Sequence, residues 1–292
     1  MPLELSLATE ADMESIARSQ MAAFHPIDPV HSLIYPSPTP VPTSVISSVT
    51  ERQLTSWRQN TSGIRWVKIT DPSHPLDAEG REFIVAAAKW IFFEEEKEGE
   101  GSRWPREGGL TVDWVIDQSS LPPSQRIKYE VLGADDKPYI SYILEAFYIN
   151  KRKYMNGPCA VLETCFTHPS YQKRGAGQLL VGWGVEEADR RGVPAWVESS
   201  VFGKGLYEKY GFGDGMCEYW GLGPLGMRVG REAGVDAERL GLGEGWREEW
   251  SEKGYQGASW WFMGRKAKAK SPITPQTHPR SSTGFIRAYF HS

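Results

Sequence analysis

At 292 residues, with 40% hydrophobic and 24% charged residues, the chain has the composition of a soluble globular protein with room for a sizeable core. A formal net charge of −4 excludes the basic footprint of a duplex nucleic-acid binder, and no apolar run approaches the roughly 18 residues needed to span a bilayer. Three cysteines without zinc-like pairing, behind an acidic N-terminus that lacks a secretory pattern, point to reduced thiols, a cytoplasmic or nuclear location and no metal.

The chain opens with a predicted strand, "LELSL", and an amphipathic helix, "TEADMESIARSQMAAF". Thr9 is its expected N-cap, with Asp12 close to a capping box, and Ile16, Met21 and Phe24 help form its buried stripe. Prolines make residues 26–42 a meandering loop. "TSVISSVTERQLTSWRQN" reads as a helix and "IRWVKIT" as a strand. "EFIVAAAKWIFFEEE" fits a buried strand or a buried helix by period, and its aromatic and β-branched ends favour the strand. The charged stretch from Glu94 to about Gly109 is either a solvated loop or an acidic rim that attracts a cationic substrate.

Residues 138–153 form a predicted helix with Ile140, Ile143, Leu144 and Phe147 on one face. Lys151, Arg152 and Lys153 complement its negative end. "GPCAVLETCFT" is a predicted buried strand ending at His168-Pro169. A second helix follows Gly175, with Ala176, Leu179, Leu180 and Trp183 on its core face, and stops at Gly192 and Pro194. "AWVES", "EYWGL" and "ASWWFMGRK" read as strands and "GKGLYEKY" as a short helix. Residues 226–257 have no clear pattern, and residues 266–292 read as a disordered tail.

The stretch "YQKRGAGQLL" lies between a strand and a helix start, where free backbone N–H groups and the helix dipole favour an anion. A solvated glycine turn is the plain alternative. Gly175 and Gly177 would let the main chain approach a phosphate, and Lys173 and Arg174 add countercharge. Neither the P-loop pattern nor the dinucleotide fingerprint fits the spacing.

The run Gln172-Lys173-Arg174-Gly175-Ala176-Gly177 resembles motif A of the GCN5-related N-acetyltransferase (GNAT) family, and "GLYEKYGF" resembles that family's downstream Leu-Tyr segment. The resemblance runs over about residues 3–222 and is strongest at 160–212. It implies an α/β fold whose mixed, mostly antiparallel sheet splays open between its fourth and fifth strands. The domain would span residues 1–265, with insertions near 94–137 and 226–257. It also implies acetyl-CoA as cosubstrate and a small-molecule or protein amine as acceptor, attacking directly. Backbone groups of Cys165, Phe166 and Thr167 would meet the pantetheine, with Ser200 near its arm, and Gln172 to Gly177 would hold the pyrophosphate. Tyr207 stands at the family's acid position, against the plain reading of a packed helix tyrosine. Glu163, given the strand parity of Cys165 and Thr167, is a candidate base. His168 reads as a turn residue, and Cys165 lacks the partners of a nucleophile. A non-catalytic acyl-CoA-binding protein on the same fold is the alternative.

Overall fold

The structure is a computed structural model that describes residues 3–25, 28, 31, 35, 37–94, 104, 137–213, 216–222, 244–246, 248, 252 and 258–268. Seven strands make one open sheet: β1 (Glu4–Leu7), β2 (Ile64–Thr70), β3 (Ile84–Phe93), β4 (Cys159–Thr167), β5 (Ala195–Ser199), β6 (Met216–Leu222) and β7 (Ala258–Arg265). Their order is β1-β2-β3-β4-β5-β7-β6. Every neighbouring pair is antiparallel except β4–β5, so the sheet is mixed and mostly antiparallel.

The helices are α1 (Met13–Phe24), α2 (Thr43–Gln59), α3 (Lys137–Tyr154), α4 (Ala176–Arg191) and α5 (Lys204–Glu208). One face of the sheet carries Trp66, Ala87, Ile91, Val161 and Phe166 against Met13 and Ile16 of α1 and Tyr142 and Ala146 of α3. The opposite face carries Val67, Ala88, Trp90 and Leu162 against Ala176, Leu180 and Val181 of α4 and Tyr207 of α5. A strand covered on both faces buries all its side chains, which is why β3 is apolar almost throughout. α2 lies on α1, where Val45, Ile46 and Val49 meet Ala17 and Met21.

Thr9 caps the chain's entry into α1: its N–H and hydroxyl both donate to the Asp12 carboxylate, at 2.7 and 2.9 Å, ahead of a single 3₁₀ turn. At the end of α4, Gly192 adopts the left-handed conformation and Lys268 N–H donates to Asp189 at 2.8 Å. Leu179 is a correction to the expected α4 stripe. It is 43% exposed, because the helix contacts the sheet along Ala176, Leu180, Gly184 and Ala188, flanked by Val181 and Val185. In α3, Phe147 stacks on Trp260 with ring centroids 4.1 Å apart, while the side chains of Ile140, Ile143 and Leu144 lie outside the described residues. So do residues 269–292 and most of 94–136 and 223–257, and with them the acidic-rim and disordered-tail expectations.

Two irregularities break the side-chain alternation of the central strands. Ile69 pairs with Ala86 but Thr70 with Ile84, which leaves Val85 as an extra residue in β3. Lys89 pairs with Thr164 but Trp90 with Leu162, which leaves Glu163 as an extra residue in β4.

Gly184 fixes how near α4 comes to the sheet. A Cβ there would overlap the Trp90 indole, whose Nε1–H donates to Leu180 O at 3.4 Å. Gly184→Ala is expected to destabilise the fold by about 1–3 kcal/mol, as overpacking of a filled core does, with little change in helix content. Urea unfolding of the variant beside the parent checks it, and an unchanged midpoint would show that α4 shifts freely.

Candidate active site

The parallel pairing of β4 with β5 ends after three registered pairs, the last being Leu162 with Val197. Beyond that point β4 stays paired with β3 as far as Thr167, but its other edge has no ladder partner among the described residues. This is the expected splay between the fourth and fifth strands. It opens a cleft of about 500 Å³ that reaches from Tyr207, Cys165 and Ser200 on one side to α1, α2 and α3 on the other.

The α5 side of the cleft is neutral. Tyr207 is buried, its ring edge-on to Phe212 at 5.9 Å, and its hydroxyl hydrogen-bonds the Cys165 thiol. Burial raises the Tyr207 phenol well above its ordinary pKa, and the neighbouring sulfur adds to the shift. Burial also pushes the Cys165 thiol up to about 12, against a smaller opposing effect from the Tyr207 hydrogen bond. Cys165 is therefore no nucleophile at neutral pH. The Ser199 hydroxyl donates to Ser200 O at 2.7 Å.

The other side is charged. Glu163 does not share the face of Cys165, which corrects the parity expected from an unbroken strand. As the bulged residue it turns with Thr164 toward α2, where its Oε2 lies 2.6 Å from Lys89 Nζ. Lys89 in turn donates to Ser56 Oγ at 3.0 Å. Burial would raise the Glu163 carboxyl, but Lys89, Lys151 and Arg52 outweigh it and hold the group below the usual carboxylate range.

Three participants were not singled out as site residues from sequence. Lys151 reads there as a solvated partner of the helix dipole, yet it is buried, with Nζ 3.0 Å from Glu198 Oε2 and within 5.1 Å of the Tyr148 ring centroid. Burial would lower the Lys151 pKa, but Glu198 and Tyr148 reverse that, so the ammonium persists above the ordinary range. Glu198 points with Trp196 to the face opposite Ala195 and Val197. A glutamate at an inward position of "AWVES" was the available signal. His31, also lining the cleft, is held neutral by burial at a pKa of about 3.

After β4 the chain makes a 3₁₀ turn at Pro169–Tyr171 and enters α4 through the glycine loop. His168 caps that turn by accepting from Ser170 N–H at 3.3 Å and does not line the cleft. Lys173 and Gly175 both have positive φ, 61° and 87°. Gln172, Lys173 and Arg174 are exposed. Arg174 lies against Asp71 at 3.2 Å and over the Tyr171 ring at 4.7 Å, so only part of its charge faces outward. Ala176 is buried in the core. Gly177 is small for a packing reason, since a Cβ there would come within 3.1 Å of Leu206 on α5. At this helix start the Gln178 and Leu179 N–H groups donate to Gly175 O at 3.0 and 3.2 Å, and the positive end of the helix dipole faces the loop.

The profile of the acetyltransferase (GNAT) family matches residues 135–212, which contain α3, β4, the glycine loop, α4, β5 and α5. A 41-residue segment is 44% identical to the "Probable acyltransferase SID5" of Ajellomyces capsulatus, and spans 14% of this chain and 30% of that protein. Among solved structures, arylalkylamine N-acetyltransferase 2 from Aedes aegypti is similar at 8% identity and a TM-score of 0.49, covering 91% of this chain and 99% of its own. A histone acetyltransferase HPA2-related protein from Corynebacterium glutamicum aligns at 17% identity and a TM-score of 0.45, over 92% of this chain and 98% of its own.

With a pKa of about 12, Cys165 carries thiolate at only about one part in 10⁵ at pH 7. In the folded protein at pH 8, Cys165 is expected to resist iodoacetamide, and to react once urea unfolds the chain. Peptide mass spectrometry reads both states, and ready alkylation in the native state would contradict a Cys165 thiol held protonated beside Tyr207.

Proposed function

From a chain whose residues 135–212 carry the GNAT acetyltransferase segment, we propose a transfer of an acetyl group from acetyl-CoA to a primary amine by direct attack. The observation that carries this reading is the alignment of two features along one strand. The open edge of β4 at residues 163–167 leads through one 3₁₀ turn into the glycine loop at the start of α4. An elongated ligand with a peptide-like arm and an anionic end matches that pair of features.

The residues present fit such a ligand. The unpaired backbone groups around Cys165, Phe166 and Thr167 would take the pantetheine amides as an added strand would, with Ser200 across the opening. The N–H groups of the loop from Gln172 to Gly177 would hold the pyrophosphate, helped by Lys173 and the outward part of Arg174. The bound thioester supplies an activated acyl carbon. Tyr207, kept protonated by its surroundings, donates to the departing sulfur from the neutral side of the cleft. The acceptor amine, carried by a small molecule or a protein, enters from the charged side.

Binding and turnover test the two parts separately. Gly175→Val must force a β-branched residue to a φ of 87°, so the loop changes shape and acetyl-CoA affinity is expected to fall below calorimetric detection while the melting transition survives. Undiminished affinity in the folded variant would remove the loop from the binding site. Tyr207→Phe keeps the ring packing and deletes the proton donor. It is expected to lower kcat by on the order of a hundredfold with acetyl-CoA affinity nearly unchanged. Because the phenol sits well above 10, the wild-type rate should show no alkaline decline from Tyr207 below about pH 10. Acetyl-CoA binding without thiol release from any amine would favour a non-catalytic binding protein.

A further inference from the structure

On the reading above, we propose that Glu198, held by Lys151, is the group that takes the proton from the acceptor amine, and that Glu163 serves instead as the counterion of Lys89. Glu198 is the first β5 residue beyond the last registered β4–β5 pair, so its carboxylate stands where the two strands part. It lines the same cleft as Tyr207 and Cys165 but faces the opposite side of the sheet. Its two oxygens are unlike. Oε2 is 3.0 Å from Lys151 Nζ, while Oε1 is buried and has no hydrogen-bond partner among the described residues. A buried acceptor left open beside a cleft is costly unless something arrives to use it. An incoming amine N–H is such a donor.

The two glutamates of the cleft differ in what surrounds them. Glu163 is closed against Lys89 at 2.6 Å, with Lys151 and Arg52 adding further positive charge, and its proton affinity is depressed. Around Glu198 stand Lys151 and Tyr148 from α3, Glu163 from β4 and Arg52 from α2. Burial dominates there, Lys151 only partly offsets it, and Glu163 reinforces it, so the carboxyl lies above the usual range. That direction suits a base. Lys151 acts through Glu198 and is a positioning residue: its ammonium fixes Oε2 and leaves Oε1 without a partner among the described residues.

The step balances without any further reactant. The amine nitrogen attacks the acyl carbon, the N–C bond forms, and the C–S bond breaks with its electron pair leaving on sulfur. The nitrogen's surplus proton passes to Glu198 Oε1, and the sulfur takes one from Tyr207. Glu198 then returns its proton through solvent to the Tyr207 oxygen, and both groups are reset.

A base is active above its pKa, so the wild-type rate should fall as pH drops through the Glu198 value. The test uses the full chain with acetyl-CoA and n-hexylamine, spermidine or a peptide with a free N-terminus, reading thiol release against pH. Glu198→Gln is expected to lower kcat by about a hundredfold, to leave acetyl-CoA affinity unchanged, and to flatten the acidic limb. Lys151→Met removes a cation that favours the ionised carboxylate, so its acidic limb should move to higher pH while turnover returns on the alkaline side. Glu163→Gln removes a negative charge that raises the Glu198 carboxyl, so its acidic limb should persist and move to lower pH, whatever the effect on rate. Carbon-13 titration of the glutamate carboxyls, assigned with Glu198→Gln, should show Glu198 above 4.5 and moving up in Lys151→Met. A Glu198→Gln enzyme with wild-type kcat, a limb lost in Glu163→Gln instead, or a Glu198 signal titrating below 4.5 would each overturn this assignment alone. Wild-type silence toward every amine would overturn the transferase reading itself, and the assignment with it.

Discussion

The structure turns on where β4 and β5 stop pairing. Three registered pairs hold the strands together at Ala160–Leu162, and then the middle of a seven-stranded sheet opens. An interior strand with a bare edge is ordinarily a liability, since its N–H and C=O groups lose their partners. Here the edge is kept in place from outside the gap. β3 grips β4 along its whole length, and β7 grips β5, so neither strand needs the other beyond Leu162 and Val197. The parallel connection between the two strands runs through α4, whose N-terminus follows the open stretch of β4 in the chain. One break in a ladder thus leaves an open strand edge that is followed along the chain by a helix start.

The bulge at Glu163 adds a second asymmetry. Without it, Cys165 would face α1 and α3, and Phe166 would face α5. With it, the sulfur meets Tyr207 while Phe166 sits against Phe24 at 5.9 Å. The cleft therefore has a neutral wall and an ionic wall, separated by the plane of the sheet. The ionic wall holds two pairs whose members are mostly enclosed: Lys89 and Glu163 are 4% and 36% exposed, Lys151 and Glu198 9% and 14%. Buried ion pairs of this kind add little to stability compared with apolar residues of the same volume. Their place beside the opening, rather than in the packed halves of the sheet, fits a role in handling charge.

Much of the frame was legible in the sequence because it rests on local rules. Thr9 and Asp12 and the stop at Gly192 are decided within a few residues, and the glycine loop carries its own backbone signature at Gly175. What could not be read depends on partners far apart in the chain. A bulge is a mismatch between two strands, so the position of Glu163 follows only once Lys89 and Trp90 are set against it. Lys151 looks like any basic residue at a helix end until α3 is laid over β5 and its ammonium meets Glu198. Arg174 likewise reads as pure countercharge until Asp71, at the end of β2, is brought beside it.

In the proposed transfer to an amine, the two walls would also divide the proton traffic. A leaving thiolate needs a donor that stays protonated, and burial without countercharge gives Tyr207 that property. An attacking amine needs an acceptor that is ionised at neutral pH yet not fully neutralised by its partner. At Glu198, Lys151 holds one oxygen and leaves the other without a partner among the described residues, while burial raises the carboxyl's affinity for a proton. Exchanging the environments would disable both groups. A tyrosine beside Lys89 and Arg52 would lose its proton more readily, and a glutamate beside Cys165 would have no cation to keep it charged. The splay sets these unlike surroundings on opposite faces of the sheet beside one opening.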